Sequence, residues 1–176
     1  MVDIETTCNF TGHRPDGLFG YDPRTDGNLK MLHKLRELII HHIEHYGVDT
    51  FITGMALGVD MWAARIVLKL KETYPHLKLV AAIPCNNHSS KWNQESQEEW
   101  KMIVDRCDIV RYVSNEEYTN WCMQKRDEWM VDRSKYVIAV WNETKGGTAN
   151  CVNYAKKLDK TITVLQPKTL EVKILD

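Results

Sequence analysis

Thr53-Gly54-Met55-Ala56-Leu57-Gly58-Val59-Asp60 is the stretch on which the fold of this 176-residue chain turns. The apolar run Thr50-Phe51-Ile52 leads into it. Beyond it, Val59, Ala63, Ile66, Val67 and Leu70 recur at helical spacing. This reads as a strand, a tight glycine turn and a helix whose first turn carries Asp60. Such a junction presents free backbone N–H groups at the positive end of a helix dipole, where a phosphate or another anion is stabilised. Gly54 and Gly58 let the backbone take positive φ and come close to a ligand. The spacing Gly-x-x-x-Gly is neither the dinucleotide fingerprint nor a P-loop, and no Lys-Ser/Thr follows it. By itself the turn fits a packing junction as well as a binding loop. Asp60 fits two roles as well, binding a ribose hydroxyl or base amino group, or capping its own helix.

Two other stretches repeat the pattern. A short strand, Thr6–Phe10, runs into Thr11-Gly12-His13-Arg14-Pro15. Gly12 allows a sharp turn, and Pro15 biases Arg14 towards an extended form. A His13–Arg14 pair held in a stiff loop suits an anion clamp, because a guanidinium fork matches phosphate oxygens. Towards the other end, the apolar strand Tyr136–Trp141 is followed by Asn142-Glu143-Thr144-Lys145-Gly146-Gly147-Thr148-Ala149-Asn150. The paired glycines read as a second anion-binding turn, with Thr148 as N-cap or hydroxyl donor.

The remaining segments complete an alternation of strands and helices. A helix runs from about Leu29 to Tyr46 and stops at Gly47. The helix after Asp60 is expected to reach about Tyr74, before Pro75. Leu77–Ile83 is continuously apolar apart from Lys78, as a central parallel strand should be. Ser96-x-x-Glu99 has the form of a capping box, opening a short helix. Asp108–Val113 is a strand, Trp121–Ser134 a helix and Ile162–Leu165 a last core strand. Lys168–Asp176 is either a short edge strand or a loose tail. The expected fold is α/β, a Rossmann-like three-layer sandwich with a mainly parallel central sheet, in one domain over residues 1–176 with its core at about 8–167. In that architecture the three glycine loops all follow strands and share the carboxyl edge of the sheet, where such folds bind ligands.

Composition narrows the function. A formal net charge of −1 gives no global field for DNA, RNA or a membrane surface, so an anionic ligand must be held locally. Cys8, Cys85, Cys107, Cys122 and Cys151 are scattered without CxxC spacing, which suggests neither a zinc site nor a disulfide framework. His41 and His45 have i, i+4 spacing but no acidic or cysteine partner nearby, so no metal is expected. No apolar run is long enough to span a membrane. The six tryptophans fill the core or flank a ligand or partner.

Thr11-Gly12-His13-Arg14-Pro15, Gly54-Met55-Ala56-Leu57-Gly58-Val59-Asp60, Met130-Val131-Asp132 and Lys145-Gly146-Gly147-Thr148, in this order, resemble the YpsA-like branch of the SLOG superfamily. That superfamily also includes the DprA/Smf and LOG proteins. The resemblance runs from about Cys8 to Pro167 and implies a Rossmann-like fold in a cytoplasmic protein of bacterial or phage origin. Related domains bind nucleotides or NAD-derived nucleotides, to sense them or to cleave base from ribose phosphate. The resemblance assigns ligand binding to Thr11, Gly12, His13, Arg14, Gly54, Met55, Ala56, Gly58, Asp60, Lys145, Gly146, Gly147 and Thr148. It implies no cofactor, and it allows a homo-oligomer.

The hydrolytic LOG branch carries Pro-Gly-Gly-x-Gly-Thr-x-x-Glu. Here Cys151 stands three residues past Thr148, where that pattern has its glutamate. Arg126-Asp127 stands where the branch resembled here has Arg-Asn. The first expectation is therefore binding of a nucleotide or an NAD- or ADP-ribose-derived molecule for sensing or sequestration. The alternative is N-glycosidic hydrolysis with Asp60, Glu143 or Asp132 as acid/base. Single-stranded DNA binding ranks third, because the chain has no basic stripe.

Overall fold

The computed structural model describes residues 2–175. Seven strands form one sheet: β1 (Thr7–Gly12), β2 (Thr50–Thr53), β3 (Lys78–Ile83), β4 (Ile109–Tyr112), β5 (Tyr136–Val140), β6 (Thr161–Leu165) and β7 (Val172–Leu175). Their order is β4-β3-β2-β1-β5-β6-β7, parallel throughout except for the antiparallel pair β6–β7. Five helices connect them: α1 (Asp26–Tyr46), α2 (Val59–Leu70), α3 (Gln94–Arg106), α4 (Cys122–Asp132) and α5 (Gly147–Lys157). Of the two readings of the C-terminal segment, the edge strand is the one realised.

Side-chain alternation along the strands sorts the core into two layers. Tyr136, Ile138 and Val140 of β5 pack with Phe10, Phe51 and Leu79 under α1, α2 and α3. Val137, Ala139 and Trp141 face the other way, with Ile162 and Val164 under α5, while Ile52 and Val80 pack against Met130 of α4. α2 is the central helix of its layer, packed between α1 and α3, and this is why it is apolar nearly all round. Among the described residues no helix is long and apolar enough to cross a membrane.

The chain steps outward from β1 to β4, then returns through α4 to place β5 on the free side of β1. The order reverses between β1 and β5, so the switch point lies at their carboxyl ends, where Gly12 pairs with Val140.

Several element ends differ from expectation. β1 extends through Thr11 and Gly12 because β5 offers a full partner there (Thr11 pairs with Ala139), so these two residues belong to the strand and not to the loop after it. α2 stops at Leu70, and residues 71–73 form turns rather than helix. The Ser96-x-x-Glu99 box does not open α3. Asn93 is the cap, its Oδ1 accepting the Ser96 N–H at 2.8 Å, which starts the helix at Gln94. Thr148 is not an N-cap, since α5 begins at Gly147 with Gly146 in the cap position.

Candidate functional site

The turn from Gly54 to Asp60 is closed by the protein itself. Thr53 Oγ1 donates to the Asp60 carbonyl at 2.8 Å and accepts the Met55 N–H at 3.2 Å. The Asp60 carboxylate accepts the Ala56 N–H at 3.3 Å. The first N–H of α2, that of Val59, donates to the His13 carbonyl. Each glycine here makes room for another part of the chain. A Cβ on Gly58, whose φ is +89°, would meet His13 O at 2.7 Å, and one on Gly12 would meet Val59 at 2.7 Å. A Cβ on Gly54 would come within 2.5 Å of Arg126 Nη1 and 2.8 Å of Asp60 Oδ2.

The turn after β5 is open. Trp141 Nε1 donates to the Thr144 carbonyl at 2.8 Å, and Asn142 Oδ1 accepts from Thr144 N–H and Oγ1, so the loop is shaped before the glycines begin. Its far anchor is His13, whose Nε2 accepts the Asn142 N–H at 3.1 Å. Burial lowers the His13 pKa, against the Asn142 side chain and Asp16, which raise it, and the Asn142 N–H donated to Nε2 suits a neutral ring. The cation of the expected clamp is therefore Arg14. No side chain caps α5, and a Cβ on Gly146 or Gly147 would meet nothing within 4 Å. The first N–H groups of α5 thus stand at a positive helix end with free space before them.

The two turns share a cavity of about 420 Å³ at the switch point. One wall is Thr144–Thr148 with Lys145. Others come from Thr11, Gly12, His13 and Arg14, and from Ala56 and Asp60. A further wall comes from α4, which contributes Met123, Arg126 and Asp127. Arg126 is buried. Its Nε donates to Asp127 Oδ1 at 2.7 Å, and its Nη1 donates to the Gly54 carbonyl. One guanidinium thus serves two buried carboxylates. Burial pushes the Asp60 carboxyl up to about 6; Arg126 pulls it down, Asp127 pushes it up further, and the Ala56 N–H and Arg14 pull down. Burial also raises Asp127, against the pull of Arg126. Burial opposes the Arg126 charge, but Asp127 and Asp60 outweigh it and hold the guanidinium protonated.

Ten of the thirteen residues expected at the site line this cavity. Gly54, Met55 and Gly58 do not; Met55 is fully buried and all three lie within the closed turn. Of the acids considered for catalysis, only Asp60 is here. Asp132 ends α4, beside Val2 and Ile4, and accepts the Tyr154 hydroxyl at 2.7 Å. Glu143 is exposed and pairs with Lys173. Cys151 is wholly buried, and burial drives its thiol pKa up. Asp127 and the buried role of Arg126 were not expected. Arg126 and Asp127 precede the buried Met130 and Val131 by four residues each, so both charges lie on buried helix stripes, which is a readable signal. Among the described residues no group of three or more His, Cys, Asp or Glu is placed to hold a metal.

Comparison with known proteins agrees with this architecture. The chain is 36% identical over 140 residues to the SPbeta prophage-derived protein YoqJ of Bacillus subtilis (strain 168), covering 73% of this chain and 82% of that one. It is 29% identical over 154 residues to a UPF0398 protein of Brevibacillus brevis, covering 86% and 81%. DNA processing protein A from Helicobacter pylori, whose structure is described for its single-stranded DNA binding mode, superposes with a TM-score of 0.62 at 18% identity. The match covers 93% of this chain and 66% of that one. DNA processing protein A from Streptococcus pneumoniae gives 0.62 at 13% identity, over 91% of this chain and 50% of that one. At these identities the two structures share the fold with this chain, which spans about two thirds of one and half of the other. The YspA SLOG family model matches residues 8–170, nearly the whole chain. The chain belongs to the YspA SLOG family.

Proposed function

We propose that the protein binds a nucleotide, or an NAD- or ADP-ribose-derived small molecule, in the switch-point cavity, and that it acts as a sensor or sequestering protein. The observation that carries this reading is the pairing of an uncapped helix start with two buried carboxylates in one cavity. Phosphate oxygens fit the α5 N–H groups, with Lys145 and Arg14 supplying charge. Ribose hydroxyls or a base amino group fit Asp60 and Asp127 as acceptors. About 420 Å³ is a small-molecule volume at the lower end of the usual range.

The test is thermal unfolding with AMP, ADP-ribose and NAD, joined to mass spectrometry of small molecules released from freshly purified protein. The wild type should be stabilised by at least one of these ligands, and Arg14→Ala and Gly147→Val should each lose that response. If both variants keep the wild-type shift, the pocket is misassigned.

A second reading, N-glycosidic hydrolysis, is favoured by Asp60, a cavity-lining carboxyl that stays partly protonated near neutral pH. It would give its proton to the departing base as the C–N bond breaks and water adds at the anomeric carbon, and the resulting Asp60 carboxylate would take up the proton that the added water loses. Release of free base that Asp60→Asn abolishes would establish turnover. Single-stranded DNA binding rests on fold likeness alone, and a salt-sensitive gel shift with an oligonucleotide tests it.

A further inference from the structure

The outer surface of the α1–α2–α3 layer holds a groove of about 660 Å³, away from the glycine loops. Leu29, Leu32, Ile66 and Met102 line its apolar floor beside the largely buried Trp62, with Leu29 and Met102 each more than 40% exposed. Around them stand Arg24, Arg36, Arg65, Lys69 and Arg106, against a single acid, Glu72. Arg24, Arg65 and Lys69 are paired within the chain, with Asp22, Glu99 and Glu72 respectively. Among the described residues Arg36 and Arg106 form no ion pair, and they leave the rim with unanswered positive charge.

We propose that this groove docks an acidic amphipathic helix from a partner protein. Exposed aliphatic side chains between parallel helices accept the apolar face of a helix as anchors at i, i+3 or i+4, and i+7. The cationic rim then meets carboxylates on the flanks of that helix, which sets its orientation and excludes basic partners. Two other occupants fit less well. A nucleic acid strand needs exposed aromatic faces for its bases, whereas Trp62, the aromatic ring of the floor, is 6% exposed. A symmetric contact with a second copy would set the unanswered Arg36 and Arg106 against their own counterparts.

The experiment uses the full chain and fluorescence anisotropy. The probe is a labelled helical peptide of about four turns, roughly 15 residues, with Leu on one face and Glu elsewhere. The controls are the same composition with the Leu order scrambled, a version with Lys for Glu, and labelled oligo-dT. Saturable binding is expected for the acidic amphipathic peptide alone. Arg36→Glu combined with Arg106→Glu should weaken it at least about tenfold, as should Leu29→Asp, because each removes one half of the complementarity. The same variants should keep any nucleotide-induced thermal shift, so this proposal fails separately from the nucleotide reading. Absence of binding, equal binding of the scrambled or Lys peptide, or oligo-dT binding that the charge reversals abolish would each overturn it. So would a dimer of the free chain, seen by sedimentation, that those substitutions dissociate.

Discussion

At Gly54 an added Cβ would press against Arg126 and Asp60; at Gly147 it would meet nothing within 4 Å. Both turns join a strand to a helix at the same edge of the sheet, and both look alike as sequence. In the first, glycine lets one part of the protein touch another. The N–H groups of Met55, Ala56 and Val59 and the carbonyl of Gly54 are taken up by Thr53, Asp60, His13 and Arg126. In the second, glycine keeps a helix end bare. A glycine turn is therefore informative about ligands only once its backbone partners have been counted.

This contrast is open to attack at several points. The largest effect should come from Arg126→Leu, which strips the closed turn of its guanidinium and strands two buried carboxylates. A loss of about 3–5 kcal/mol is expected, read from urea unfolding. A loss under about 1 kcal/mol would mean the closed turn does not depend on Arg126.

Next is Asp60→Asn, with the opposite sign at neutral pH. The folded-state pKa of Asp60, about 6, lies above the ordinary 3.8, so the fold binds that proton more tightly than the unfolded chain. Its contribution to stability is greatest below about pH 4, falls as pH rises through about 6, and is flat beyond. The full shift corresponds to about 3 kcal/mol. The Asn variant keeps an oxygen for the Ala56 N–H and should lack this slope, so its advantage over wild type should grow between pH 4.5 and pH 8. Parallel pH profiles of the two proteins would disprove the assignment of that proton.

Gly54→Ala and Gly58→Ala follow, at about 1–3 kcal/mol each from overpacking, with positive φ adding to the second. That corresponds to a melting temperature lower by about 2–12 °C. Smallest is Gly147→Ala, expected within about 0.5 kcal/mol of wild type, yet impaired in its response to nucleotide. If Gly147→Ala destabilises as much as Gly54→Ala, the two turns are not different in kind.

The layered α/β architecture was legible because burial on both sheet faces writes long apolar runs, and because helical spacing in Leu29–Tyr46 and Val59–Leu70 has few rivals. The cavity was legible from β1, α2 and α5, since the strand ends and glycines mark them. The share of α4 was legible only in part. The spacing of Arg126 and Asp127 before Met130 and Val131 marks both charges as buried, but they reach the cavity because the chain crosses back from β4 to β5, a tertiary event. Asp132 stands outside the cavity for a related reason: in Met130-Val131-Asp132 the first two residues are core, and the aspartate lies past them at the far end of the helix. Asn93 is hard to read as a cap because Ser96, three residues on, offers the commoner box pattern.

The cavity is assembled from residues 11–17, 56–60, 123–127 and 144–148. No fragment holding two or three of these segments contains it, and neither does a chain in which β5 has yet to pair with β1. A ligand seated there is bound by the completed fold and by nothing earlier. Mass action then makes occupancy and folding one equilibrium: at a ligand concentration a hundredfold above Kd, unfolding becomes harder by about 2.7 kcal/mol. In a cell, the lifetime of such a protein against proteolysis would rise and fall with the concentration of its ligand.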